Sequence, residues 1–140
     1  MVDDSGYVDI NVFVYWLGDH PAFGKTAHGW IRKIEEATRG RYVTSGLAVY
    51  ECVVILAGLT GRNLKEESFI EAVVNAITGL KGLRIEEMKS EDVIQSVHLM
   101  KEHEIDYEDA LHLATALRVG AKEILSNDRD FERTPLRRVL

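Results

Sequence analysis

The chain has 140 residues, of which 46% are hydrophobic and 29% charged, and its formal net charge is −6. That length suits one domain, spanning 1–140, with a core that needs no staples, and the composition is that of a soluble globular protein rather than a disordered or fibrous one. Cys52 is the single cysteine, so an intrachain disulfide and a cysteine-based zinc site are excluded, and the five histidines lack paired zinc-ligand spacing.

The longest apolar stretch, Gly46 to Gly61, is too short to span a bilayer and carries Glu51 in its middle. No cationic start followed by an apolar run marks a secretory signal, so a cytoplasmic protein with no membrane partner is expected. The acidic balance alone argues against a nucleic-acid binder. That argument weakens if several carboxylates line one metal site, because bound divalent cations reverse the local field. The basic residues also fall into groups, Lys25 to Arg41 and Arg129 to Arg138, each of which reads most simply as a solvated face.

In chain order, "GYVDINVFVYWLG" begins as a short strand over Tyr7 to Asp9 and turns into a short helix. Helical spacing resumes after Pro21 through Phe23, Ala27, Trp30, Ile31 and Ile34, and stops at "TRGR". "YVTS", rich in β-branched and aromatic residues, predicts a brief strand. From Gly46 a helix follows that is apolar round the whole wheel and therefore expected to be buried. "EESFIEAVVNAIT" is a further helix, with Phe69, Val73 and Ile77 on one face. "GLRIEEM" alternates as a strand does. "SEDVIQSVHLMKEH" opens a helix with Ser90 as its expected cap. "DYEDALHLATALRVG" predicts a helix capped by Asp106, striped by Ala110, Leu113, Ala114 and Leu117, and stopped at Gly120. "EILS" is the next strand and "LRRVL" a last edge strand. Strands separated by helices imply a three-layer α/β fold with a mainly parallel sheet.

In such a sheet ligands collect at the carboxyl ends of the strands. Asp9 ends the first predicted strand, and Asp128 and Asp130 follow the strand at "EIL". Glu51 and Asp109 start near the same edge on helices. A carboxylate on a buried helix needs a cation, a hydrogen-bonding neighbour or a changed protonation state, which singles out Glu51. Taken alone, Asp9 reads first as a helix cap and Asp109 as a first-turn acid favoured by the helix dipole. The five acids as a set are what suggest a metal pocket.

With "YVDINVFVY", the early Glu51, "DYEDALHLATAL" and "ILSNDRDF" in this order, the sequence resembles the PIN-domain ribonucleases over nearly its whole length, and among them the VapC-type toxins of toxin–antitoxin pairs. The most specific part is the Asp-Ala-x-x-x-Ala-x-Ala helix followed by a strand and Ser-Asn-Asp-x-Asp-Phe. Two positions depart from the usual pattern: Ile10 and Ser126 stand where the family commonly has Thr. The resemblance implies a PIN fold and hydrolysis of RNA phosphodiester bonds. Asp9, Glu51, Asp109 and Asp128 would be catalytic, with Mg²⁺ or Mn²⁺ ligated by Asp9, Asp109, Asp128 and Asp130. Asn11, Ser126 and Asn127 would support them. It also implies a cognate antitoxin and a homodimer. Competing readings are a receiver-like signalling domain and a degenerate, non-catalytic PIN module.

Other polar and aromatic residues are given ordinary expectations. His112 reads as a helix-surface histidine, Trp16, Trp30 and Tyr50 as packing residues, Arg129 as an ion-pair partner and Cys52 as a small buried side chain. Phe13, Trp16 and Trp30 suit an exposed interface on an early helix and suit a core equally.

Overall fold

A computed structural model describes residues 5–140. Five strands, β1 (Gly6–Val8), β2 (Tyr42–Ser45), β3 (Leu83–Glu86), β4 (Glu123–Leu125) and β5 (Arg137–Val139), form one sheet in the order β3-β2-β1-β4-β5. Every pair is parallel. Parallel neighbours need crossovers, which the helices supply: α1 (Ile10–Leu17) and α2 (Gly24–Glu36), α3 (Gly46–Thr60) and α4 (Glu67–Thr78), then α5 (Ser90–His103) and α6 (Tyr107–Arg118).

Two cores sandwich the sheet. One joins Val8, Phe13, Ile34, Leu56 and Ile77 beneath α1 to α4. The other joins Tyr7, Leu99, Leu113, Ile124 and Phe131 beneath α5, α6 and a 3₁₀ turn, Arg129–Arg133. Tyr7 and Val8 point to opposite faces, as the two-residue period of a strand requires, and so they belong to different cores. The expected three-layer α/β architecture is present.

The strand order also decides against one competing reading. A receiver-like domain has the order 2-1-3-4-5, whereas here β1 lies between β2 and β4, so that reading is excluded. The chain reverses its winding between β1 and β4. The topological switch point is therefore there, beyond the carboxyl ends of the strands that carry Asp9 and Ser126.

Several local expectations shift. The helix over Gly46–Thr60 is not buried all round: Tyr50, Val54, Ile55 and Leu59 are exposed, so Tyr50 is not a core residue. Of the two readings offered for Phe13, interface and core, the core holds: it is fully buried in the first core. The cap of α5 is Lys89 rather than Ser90, because Asp92 reaches back to accept a 2.9 Å hydrogen bond from the Lys89 backbone N–H. Leu117 faces solvent, whereas Leu111 and His112 are buried with Ala110 and Leu113. Among the described residues no helix is long and apolar enough to cross a membrane.

Candidate metal centre

The register of β1 on β4 builds the centre of the site. Val8 pairs with Leu125, and the Asp9 N–H donates to the Leu125 carbonyl at 3.0 Å, so Asp9 and Ser126 leave the sheet side by side. Ser126, fully buried, donates from Oγ to Asp9 Oδ2 at 2.6 Å. The same Oγ accepts the Asp128 N–H at 3.0 Å and the Asn11 Nδ2 donor at 3.3 Å. One hydroxyl thus fixes an acid from each strand end. Asn11 Oδ1 accepts the Asn127 N–H, and Asn127 Nδ2 donates to the Tyr15 hydroxyl at 3.2 Å, which ties the β4 loop to α1.

Asp9 also caps α1, since its Oδ1 accepts the Ile10 N–H at 2.8 Å. The cap and pocket readings of Asp9 are both realised by one residue with two oxygens. Asp128 likewise caps the 3₁₀ turn by accepting from the Asp130 N–H at 2.9 Å. That turn swings Asp130 back to the site, while Phe131 is driven into the second core as its anchor. Arg133, not Arg129, pairs with Asp130, at 2.8 Å.

Asp109, in the first turn of α6, comes to meet them. Asp109, Asp128 and Asp130 each offer a carboxylate oxygen within 4.8 Å of the others. The electrostatics show the strain of this gathering. Burial, followed by the charges of Asp128, Asp106 and Asp9, pushes the Asp109 carboxyl up to about 8. Burial raises Asp9 as well; the His112 charge and the Ser126 and Ile10 hydrogen bonds offset part of this, and Asp128 adds to it.

Glu51 lands beside this group rather than inside it. Its carboxylate sits with Glu108 and His112, the three again within 4.8 Å. His112 Nε2 lies 2.7 Å from Glu51 Oε1, and Nδ1 lies 2.7 Å from the Tyr7 hydroxyl, which donates to Ser45 Oγ at 2.8 Å. A carboxylate only accepts, so the proton of the Glu51 bond lies on Nε2, while the Tyr7–Nδ1 bond runs in whichever direction the tautomer sets. Burial opposes a charge on His112, but the Glu51 hydrogen bond and the fields of Asp9, Glu51 and Glu108 outweigh it and raise the His112 pKa. Burial likewise works against the Glu51 carboxylate, yet the hydrogen bonds of His112 and Glu108 hold it below its ordinary value. Glu108 is pushed up to about 7, first by its hydrogen bond to Glu51, then by burial and by the Glu51 charge.

His112 is therefore not the surface residue that the sequence suggests. It is buried, and it acts electrically on both acid groups. Glu108 is a second site residue that the sequence reading lacks. The available signal was the i, i+4 spacing from Glu108 to His112, which places both on the α6 face that looks at Glu51.

An all-carboxylate set whose members repel one another fits a hard divalent cation, which prefers oxygen ligands and relieves that repulsion. Asp109, Asp128 and Asp130 are the residues that could hold it, and the charge of Asp9 acts on Asp109.

Fold and site together define an α/β domain with a carboxylate pocket at the switch point of a parallel sheet. The chain belongs to the PIN-domain family, a family of nucleases, whose profile matches residues 6–136. No curated protein matches it significantly in sequence. Solved structures do match in fold. VapC20 of Mycobacterium tuberculosis, described as a sarcin–ricin loop cleaving toxin, superimposes with a TM-score of 0.72 at 17% identity, covering 95% of this chain and 99% of its own. VapBC2 of Rickettsia felis, solved on a DNA fragment from its promoter, gives 0.69 at 16% identity, with 96% of each chain covered. A toxin–antitoxin complex from Klebsiella pneumoniae gives 0.65 at 20% identity, with 97% of each covered.

Proposed function

We propose that this protein is a metal-dependent endoribonuclease, the toxin of a VapBC-type toxin–antitoxin pair. The observation that carries the reading is the meeting of Asp109, Asp128 and Asp130 beside Asp9 at the switch-point crevice of a PIN-family chain. Asp9, Glu51, Asp109 and Asp128 are the proposed catalytic acids. Asp9, Asp109, Asp128 and Asp130 would hold Mg²⁺ or Mn²⁺. Such an ion, when bound, lowers the pKa of coordinated water and offsets charge that develops on phosphate oxygens.

The chain's own residues supply the rest. Ser126 holds Asp9 and Asp128 in fixed relation, and Asn11 and Asn127 brace Ser126 and its loop. The Glu51 carboxylate is held by His112 and by a hydrogen bond with Glu108, whose carboxyl is pushed up to about 7. Hydrolysis by water leaves 5′-phosphate and 3′-hydroxyl ends.

The proposed partners are an RNA substrate, a protein antitoxin and a second copy of this chain, with the cytoplasm as the proposed location. Neighbours solved as toxin–antitoxin assemblies support the antitoxin. The homodimer rests on the family resemblance, since the hollow of about 420 Å³ beside α3 is lined by Glu51 and Glu108 as well as by Tyr50, Val54, Tyr107 and Leu111. The test is cleavage of RNA with Mg²⁺ or Mn²⁺ and with chelator, for wild type and Asp9→Asn. Metal-dependent cleavage lost in the variant is expected. Equal background in both samples would favour a non-catalytic module, and 2′,3′-cyclic phosphate ends would exclude hydrolysis by water.

A further inference from the structure

His112 has no part in the ligand set, yet it lies at the centre of a buried chain of hydrogen bonds that begins and ends on α3. Ser45 caps that helix, its Oγ accepting the Ala48 N–H at 3.1 Å. From Ser45 the chain runs 2.8 Å to the Tyr7 hydroxyl on β1, 2.7 Å to His112 Nδ1 on α6, and 2.7 Å from Nε2 to Glu51, back on α3. Tyr7, Ser45 and His112 are no more than 2% exposed, so water does not compete for the bonds among them, and the His112–Glu51 bond is partly buried. We infer that His112 is a positioning residue: the chain Ser45–Tyr7–His112 holds the Glu51 carboxylate in one orientation beside the aspartates, and Glu51 acts in the reaction only in that orientation.

The argument is geometric. Glu51 is a long side chain on the flank of a helix whose neighbours Tyr50, Val54 and Ile55 are exposed, and left alone it would sample several rotamers. Each link of the chain is anchored differently. Tyr7 is held in a strand paired on both sides, with β2 and β4. His112 is packed in α6 one turn after Asp109, so the same rigid helix places Asp109 directly and Glu51 through the imidazole. A hydrophobic residue at 112 would leave the Tyr7 hydroxyl and Glu51 without these partners, and a surface histidine would orient neither. Groups that orient ligands and reacting carboxylates from behind contribute on the order of 10- to 100-fold in activity or metal affinity.

The activity arm of the test rests on the nuclease reading above, and a second arm does not. Tyr7→Phe removes one hydroxyl two links away from Glu51 and keeps the ring packing. Tyr7→Phe and His112→Gln are expected to lower kcat by about 10- to 100-fold with KM nearly unchanged. The double variant His112→Gln/Glu51→Ala is expected to be no slower than Glu51→Ala alone, since His112 acts through Glu51. Wild-type kcat in both single variants, or losses that multiply in the double variant, would overturn the inference. In the second arm, nitrogen–proton NMR of the imidazole should show a slowly exchanging His112 Nε2–H whose resonance is lost in Glu51→Ala. Its absence from the wild type would overturn the inference whatever the activity. If the wild type cleaves no RNA at all, the nuclease reading fails and the NMR result alone decides the clamp.

Discussion

Replacing Asp109 by Asn should stabilise the metal-free protein while disabling it. The Asp109 carboxyl has its ordinary value of 3.8 moved to about 8 by burial and then by Asp128, Asp106 and Asp9. Because the folded value is raised, the folded state keeps a proton that the unfolded chain releases. Stability of the metal-free protein therefore falls as pH climbs from about 4 to about 8 and is level above that. At neutral pH the unscreened penalty is about 4 kcal/mol, at about 1.36 kcal/mol for each pH unit above the ordinary value. Asp109 is only partly buried, so solvent screens about half and about 2 kcal/mol remains. Asn is nearly isosteric and does not titrate, and the Asp109 backbone N–H keeps its 2.9 Å bond to Asp106. Urea denaturation in chelator should show the variant about 2 kcal/mol more stable than wild type at about pH 7 and indistinguishable near pH 4. Added Mg²⁺ or Mn²⁺ should stabilise the wild type by mass action and leave the variant almost unmoved. A variant that is less stable than wild type in chelator at neutral pH, or equally stabilised at both pH values, would refute the account of mutual repulsion.

Three further outcomes follow from the same geometry. Ser126→Ala removes the hydroxyl that joins Asp9 to Asp128 and should destabilise by about 1–3 kcal/mol, with activity reduced about ten-fold, read by denaturation and RNA cleavage. Phe131→Ala empties the second core beneath the 3₁₀ turn that presents Asp130, and a loss of about 3–5 kcal/mol in chemical denaturation is expected. Arg118→Met strips buried Asp92 of its 2.8 and 3.1 Å guanidinium bonds, at a cost of about 3 kcal/mol at neutral pH. Burial works against the Asp92 charge, but Arg118 and the Lys89 N–H hold its carboxyl below the ordinary value. The Arg118 contribution should therefore be present above about pH 4 and fade as pH falls through the depressed value, which paired denaturation curves at neutral and acid pH would record.

How much of this was legible beforehand depends on the range of the interaction. "YVTS" matches β2 residue for residue, and the strands at "GYV", "EIL" and "RRV" are legible in the sequence to within a residue or two, because β-branched and apolar runs bounded by turn residues are local signals. Asp9, Asp128 and Asp130 were legible for the same reason: an acid just beyond a strand end has a known place in a parallel sheet. The 3₁₀ turn and the Lys89 cap were not, since each is decided by one side-chain hydrogen bond rather than by periodicity.

Local chemistry in the chain was enough to give strands alternating with helices and an acid at each relevant strand end. Tertiary structure alone decided which acids meet, because that depends on sheet order and register. Val8 beside Leu125 brings Asp9 to Ser126 across more than a hundred residues of sequence. It also decided the fate of Glu51 and His112. Helical spacing shows that a residue lies on some face of its helix, but not what stands opposite. Only the packing of α3 and α6 against β1 turned a histidine that looks superficial into the buried partner of Glu51.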